Sequence, residues 1–359
     1  MNKPIAAIIT DTHLKENNIE LNKSIFKQAI VQCQKLGLDT LYHGGDIFDS
    51  RKAQPLEIQT AFKEILSYFR SSGIKLVVCA GNHDKTNYSA EESFLDAFHV
   101  SPYLIKKSQI EKYFEVVDTY EKYYLSNDIV LHLTPFFDDY EYITNIQSFS
   151  DNINKKKRNI HLTHIGFEGS VMNNGVTIKG GVGKSIADLF DLTLVGHYHD
   201  YQELYDGKVI YIGSAYQANF GEKQTNKGLT LLNDDLSLTL VELDSPKYIK
   251  YEVNVENIGQ KEIDDLKAEK ANSKDIIRVY LTGSDEKVNS FNKQQLLNIG
   301  IEVEKKIDEV VKQEIEQEVE KFEEVNLYTF FTEFCQRKQL DEPVGAVYLN
   351  KGLGNKQVA

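Results

Sequence analysis

Short apolar runs alternate with helical periodicity through the first half of the chain. "PIAAIIT" (4–10) reads as a buried strand ending at Asp11. In "NKSIFKQAIVQCQKLG" (22–37), Ile25, Phe26, Ala29, Ile30 and Cys33 fall on one helical face, and Gly37 stops the helix. "LDTLYHGGD" (38–46) is a second strand running into a glycine turn. "LEIQTAFKEILSYFRSSG" (56–73) is a second helix and "IKLVVCAGNHD" (74–84) a third strand. The βαβαβ order predicts a largely parallel sheet. Further strands are expected in "DIVLHLTPFF" (128–137), "RNIHLTHIGFEG" (158–169), "LTLVGHYH" (192–199), "KVIYIGSAY" (208–216) and "GLTLLNDDLSLTLVEL" (228–243), the last turning at 233–235. The result is an α/β chain with one sheet, or two packed sheets, and helices outside.

The pattern changes near Pro246, where Lys and Glu become dense and apolar segments short. "EIDDLKAEK" (262–270) and "KVNSFNKQQLLNIG" (287–300) read as helical, "DIIRVYLTG" (275–283) and "IEVEKK" (301–306) as strands. Residues 1–245 are therefore expected to form the main domain and 246–306 a small α/β domain, with a helical region over 307–359. In that last region Leu327, Phe330, Phe331, Phe334 and Cys335 line one helical face, which either packs on its own chain or docks on a partner.

Composition narrows the class. The chain has 359 residues, long enough for one large domain and a smaller one. No apolar run approaches the roughly 20 residues of a membrane span, and "IAAII" is too short for a signal-peptide core. A cytoplasmic protein is expected. Cys33, Cys79 and Cys335 have neither disulfide nor zinc spacing and are read as small apolar residues. The net charge of −13 argues against a general nucleic-acid binder. It is unevenly spread, however: residues 301–324 alone carry ten acidic against four basic side chains.

The candidate chemistry stands at the strand ends. The first ends in Asp11 and His13, the second in Asp46 and Asp49, the third in Asn82, His83 and Asp84, a later one in His164, and the next in His197 and His199. Open α/β sheets bind ligands beyond the carboxyl ends of their strands, so five strands deliver Asp, Asn and His to one edge. A pair of divalent ions needs a bridging carboxylate with nitrogen and oxygen ligands around it. A D-x-H or H-x-H on a strand would put both side chains on one face, and the glycines before Asp46 would allow close backbone approach. Any one fragment is more often structural than functional; the five in order are much more specific. His164 is preferred over His161, which lies three residues back and should face away. Asp49 is expected to hydrogen-bond locally, and His43, His99 and His132 to pack or sit at the surface. "GGVGKS" (180–185) is not a phosphate-binding Walker loop, because Ile178 stands where that motif needs glycine. Lys179 and Lys184 could instead meet a DNA backbone there.

The series D-x-H, G-D, G-N-H-D, lone H and G-H-x-H resembles the calcineurin-like metallophosphoesterases. Within them the chain most resembles the SbcD-like recombination nucleases and their phage counterparts, through "TDTHL", "HGGDIFDSRKA", "CAGNHD", "VGHYHDYQ" and "YIGSAYQANFGE", covering about residues 4–225. Serine/threonine phosphatases follow their G-D with a phosphate-gripping Arg; here Arg51 comes five residues on, in a different setting, which counts against a phosphomonoesterase. The resemblance implies an αββα sandwich of two mixed sheets with a small cap domain and C-terminal helices. It implies that Asp11, His13 and His199 hold one ion, that Asn82, His164 and His197 hold the other, and that Asp46 bridges. His83 would stand by the scissile phosphate, oriented by Asp84. The metals implied are Mn²⁺ first and Mg²⁺ second. The implied activity is exo- or endonucleolytic cleavage at double-stranded DNA ends in recombination, repair or replication. The implied partners are an SbcC-like coiled-coil ATPase docked through the C-terminal helix, and a second copy of the chain. A phage origin, and so a host cytoplasm, is expected. Two other readings remain: a phosphodiesterase of small or cyclic nucleotides, and a non-catalytic scaffold.

Overall fold

The computed structural model describes residues 2–87, 92–98, 113–224 and 226–306. In chain order the elements begin with β1 (Pro4–Ile9), α1 (Ile19–Leu36), β2 (Thr40–His43), α2 (Leu56–Ser72), β3 (Lys75–Cys79), β4 (Phe114–Val117), β5 (Glu121–Tyr124) and β6 (Ile129–Thr134). Next are α3 (Asp139–Ser150), β7 (Arg158–Thr163), α4 (Lys184–Ala187), β8 (Leu192–Val195), β9 (Gln202–Leu204), β10 (Val209–Tyr211), β11 (Gly228–Asn233) and β12 (Leu238–Glu242). The last are β13 (Tyr248–Asn254), α5 (Gln260–Asn272), β14 (Ile276–Thr282), α6 (Asp285–Ser290), α7 (Gln294–Leu297) and β15 (Glu302–Lys305).

Two six-stranded mixed sheets form the main body, ordered β12-β11-β1-β2-β3-β4 and β5-β6-β7-β8-β10-β9. β1 to β4 run parallel, as do β6, β7, β8 and β10, and the other strands pair antiparallel at the sides. Strand alternation explains the layering. Ala7 and Ile9 of β1 join Leu41, Leu76 and Val78 under the apolar faces of α1 and α2. Ala6 and Ile8 face the other way, into a core shared with Leu131, Leu133, Ile160, Leu162 and Leu194 of the second sheet. On that sheet's outer side Val195, Val209 and Tyr211 meet Tyr142, Ile146 and Phe149 of α3. This is an αββα sandwich. Gly37 and Gly73 end α1 and α2 in left-handed conformation (φ 68° and 75°).

Residues 248–305 build a separate parallel sheet, β13-β14-β15, over a small core of Ile263, Leu266, Ile277, Val279, Leu281, Val288 and Leu296. It meets the main body at a definite seam. The Tyr248 N–H donates to Gln217 Oε1 (2.9 Å), the Tyr248 and Phe220 rings lie 4.8 Å apart, and the Arg278 guanidinium sits 4.1 Å above Phe220. The helical region expected over 307–359, on which the aromatic face and Cys335 would fall, lies outside the described residues, as does His99. Cys33 and Cys79 are buried free thiols, and burial pushes Cys33 up to about 12. No described helix is long and apolar enough to cross a membrane.

Candidate metal centre

β1, β2 and β3 are neighbours in one sheet and β7 and β8 in the other, so the segments after them converge. The residues there do not continue the strands. Asp11, His13, Asp46 and His197 all have positive φ (53°, 42°, 58° and 88°). The expectation that D-x-H and H-x-H share a strand face is therefore corrected: both pairs lie in turns beyond the last strand residue. The turns are held by main-chain bonds, Asp11 N–H to Gly45 O, His13 N–H to Asp46 O (both 3.0 Å) and Leu14 N–H to Ile47 O (2.7 Å). The close approach expected of the glycines is real: a Cβ on Gly45 would lie 2.5 Å from His164 Nδ1.

Asp46 is central. Its Oδ2 lies 3.2 Å from His164 Nε2, 3.8 Å from His13 Nε2 and 3.9 Å from His83 Nε2. On one side, His13 Nε2 and His199 Nε2 face each other at 3.0 Å, 3.8 and 3.9 Å from Asp11 Oδ1. On the other, the rings of His164 and His197 stand edge to face at 5.0 Å. Among the described residues, three groups emerge whose ligand atoms lie within 4.8 Å of one another: Asp11, His13 and His199; Asp46, His164 and His197; and His13, Asp46 and His83. The Asn82 amide lies between the second group and Arg51. Donor–acceptor matching puts its nitrogen toward His197 Nδ1 (3.0 Å) and His164 Nε2 (3.1 Å), and its oxygen toward Arg51 Nη2 (2.8 Å).

The charges are strongly perturbed. Burial would raise the Asp46 carboxyl, but His164, His13 and His83 hold it well below the usual carboxylate range. Burial opposes charge on His164, yet Asp46 and Asp11 raise it to about 9. Burial lowers His13, and burial with His164 lowers His197 to about 3. Burial pushes the Asp11 carboxyl up, against the pull of His164 and His199. Without an ion, then, Asp46 and His164 form a buried ion pair beside the neutral imidazoles of His13 and His197; burial opposes charge on His199, yet Glu222 and Asp11 raise it.

His83 is more accessible than His13, His164 and His199, its side chain 20% exposed against 8%, 0% and 11%. Its N–H donates to Asp46 Oδ1 (2.9 Å) and its Nδ1 to the Asp49 carbonyl (2.5 Å). Asp84 does not orient it, contrary to expectation. The Asp84 carboxylate turns inward and accepts the backbone N–H groups of Asp46 (2.9 Å), Phe48 (3.0 Å) and Gly81 (2.9 Å), tying the second and third ligand turns together. Burial and Asp46 push its carboxyl up to about 7 against those donors. Asp49 pairs with Lys15 (3.0 Å), and a groove of 440 Å³ lined by Lys15, Asn17, Asp49, Ser50 and Gln54 opens beside it.

His161 is buried against Phe190 (4.2 Å between rings) and bonds Thr134 (3.0 Å); His43 stacks on Phe26; His132 bonds Asn159 (3.0 Å). None of these three reaches the cluster. Two residues that do were not assigned to it from the sequence. Arg51 reaches Asn82, and Glu222 reaches His199 Nδ1 (2.8 Å). Both contacts join residues far apart in the chain, so no local spacing signals them.

The donor set fits divalent ions. Imidazole nitrogens and carboxylate oxygens suit Mn, Fe and Zn, and the Asn82 amide would join them by turning its oxygen from Arg51 to the side of His164 and His197. Three solved structures are similar to the chain at low identity. A dimetal phosphatase from Danio rerio is 11% identical, over 59% of this chain and 88% of that one, with a TM-score of 0.41. The nuclease MPE of Pseudomonas putida is 13% identical, over 49% and 68%, with a TM-score of 0.25. The calcineurin-like phosphoesterase YfkN of Bacillus subtilis is 16% identical, over 66% and 88%, with a TM-score of 0.33. Residues 6–201, more than half of the chain and the stretch that carries every residue of the cluster except Glu222, match the calcineurin-like phosphoesterases, and the chain belongs to that family.

Proposed function

We propose that this chain is a two-metal phosphodiesterase acting on DNA ends, an SbcD-like nuclease subunit. The observation that carries the reading is the pair of ligand groups, Asp11–His13–His199 and Asp46–His164–His197, joined through Asp46 with His83 at the accessible side. Asp11, His13 and His199 would hold one ion, Asn82, His164 and His197 the second, and Asp46 both. Bound ions supply charge neutralisation at the phosphoryl oxygens and activation of a water. His83 then has a defined part. Its Nδ1–H donates to the Asp49 carbonyl, so Nε2 is the atom left to face the leaving oxygen, and as the imidazolium it would give its Nε2 proton there or stabilise charge. The DNA substrate, Mn²⁺ as the metal, a coiled-coil ATPase docked on 307–359, a second copy of the chain and a phage origin are supported by the motif resemblance over residues 4–225.

Arg51 favours a second reading. A guanidinium beside Asn82 could grip a terminal phosphate, as a phosphomonoesterase requires. The deciding experiment incubates the chain in Mn²⁺ with end-labelled duplex DNA, with and without an SbcC-like ATPase. Parallel reactions contain bis(p-nitrophenyl) phosphate, a cyclic dinucleotide and p-nitrophenyl phosphate. Degradation of the duplex supports the nuclease; inertness toward DNA with turnover of a small ester overturns it.

A further inference from the structure

His199 is held differently from His13, the other imidazole of its group. Its N–H donates to Asn173 Oδ1 (2.9 Å), from the loop before α4. Its carbonyl accepts from Ser214 N–H (3.0 Å) and from the Lys227 ammonium. Its ring Nδ1 meets Glu222 Oε1 at 2.8 Å. Every polar atom except Nε2 is thereby occupied, and Nε2 faces His13 and Asp11. By contrast, His13 has no hydrogen-bond partner at Nδ1 among the described residues; the nearest carboxylate oxygen, Asp49 Oδ1, is 3.9 Å away.

Glu222 is itself fixed. It is buried, and Oε1 also accepts the Ala218 N–H (3.2 Å). Oε2 lies 3.1 Å from Lys227 Nζ, and Lys227 lies 3.2 Å from Asp200 Oδ1. Asp200 accepts the N–H groups of Lys223 (3.0 Å) and Gln224 (3.2 Å). A buried carboxylate is tolerated when it is paired and hydrogen-bonded, and Lys227 provides the pairing.

We propose that Glu222, braced by Lys227, is a positioning residue that fixes the ring orientation and tautomer of His199 for metal binding. A carboxylate only accepts, so the proton of the neutral imidazole sits on Nδ1 and the Nε2 lone pair points into the cluster. The assignment rests on the two-metal reading and adds a residue outside the strand-end motifs. It predicts a selective effect: Glu222 acts on the ion held by Asp11, His13 and His199, and leaves the other ion alone.

The test is Mn²⁺ titration of the full chain by calorimetry and electron paramagnetic resonance, with unfolding in EDTA to check the fold. Wild-type protein should take up two ions. Glu222→Ala should weaken one of them by about 10- to 100-fold, the same one that Asp11→Ala removes, and leave the second unchanged. Glu222→Gln keeps an acceptor of the same size without the charge, and should restore part of the loss. If the alanine variant does not fold, the glutamine variant carries the test, with a several-fold weakening expected at that same ion. Wild-type affinity at both ions, or equal weakening of both, overturns the proposal. A wild-type chain that takes up no Mn²⁺ overturns the two-metal reading as well, before any substitution is made.

Discussion

Gly81, between β3 and Asn82, is where a single methyl group should do most damage to the centre. A Cβ built there lies 2.2 Å from Asp46 Oδ1 and 2.4 Å from the Asp46 backbone nitrogen. Ordinary contact begins near 3.4 Å, so the Asp46 main chain must retreat by about 1 Å. Asp46 is poorly placed to give way. Its N–H is bonded to Asp84 Oδ2 and its Oδ1 to the His83 N–H, and the same Asp84 oxygen holds the Gly81 N–H. Overpacking of this kind costs about 1–3 kcal/mol of stability. A displacement of about 1 Å in a catalytic group costs on the order of 100-fold in rate. Gly81→Ala should therefore lose about two orders of magnitude of Mn²⁺-dependent bis(p-nitrophenyl) phosphate hydrolysis, with a lowered Tm. Gly73→Ala is the control. Its φ of +75° makes a side chain unfavourable, but nothing lies within 4 Å, so about 1 kcal/mol of stability should go with activity intact. If Gly81→Ala turns over substrate within threefold of wild type, Asp46 is not the geometric centre of the chemistry.

Two further outcomes follow from the same geometry. His83→Gln should keep both Mn²⁺ ions while kcat falls by about 10²- to 10⁴-fold, measured by titration and turnover on one preparation; unchanged kcat would remove His83 from the reaction. In EDTA, the Asp46–His164 pair should make stability depend on pH. His164 is raised to about 9 in the fold, so its contribution is complete below its ordinary pKa near 6.5 and is lost as pH rises through 9. Asp46 is lowered, so its contribution is present above its ordinary pKa near 3.9 and lost as pH falls below it. The Tm gap between wild type and His164→Gln should narrow steadily from pH 6.5 to 9.5; a constant gap would show that the ion pair does not form.

The strand ends were legible because each ligand turn follows a buried apolar run, and parallel strands leave their carboxyl ends on one edge. His164 and His161 could be told apart for the same reason: three residues apart across a strand end, one enters the cluster and the other stacks on Phe190. What lay hidden was of two kinds. Some elements had a signal that was overlooked. In β13, Ile249, Tyr251 and Val253 alternate, and in α3, Tyr142, Ile146 and Phe149 lie on one face behind an Asp138 cap. Other features have no local signal. The inward turn of Asp84 depends on backbone N–H groups from two other turns, and Arg51 and Glu222 reach partners brought near only by the packing of the sheets.

The left-handed turns at the centre bear on how this protein would respond to selection. Asp11, His13, Asp46 and His197 are four of the seven non-glycine residues with positive φ among the described residues. Each such conformation costs about 1–3 kcal/mol. Glycine at those positions would relax the backbone and abolish the ligand. A laboratory screen for heat resistance run without a substrate should therefore enrich dead variants at 11, 13, 46 and 197. Engineering for durability has to hold these four positions fixed and look for gains in the helices and the small C-terminal sheet instead.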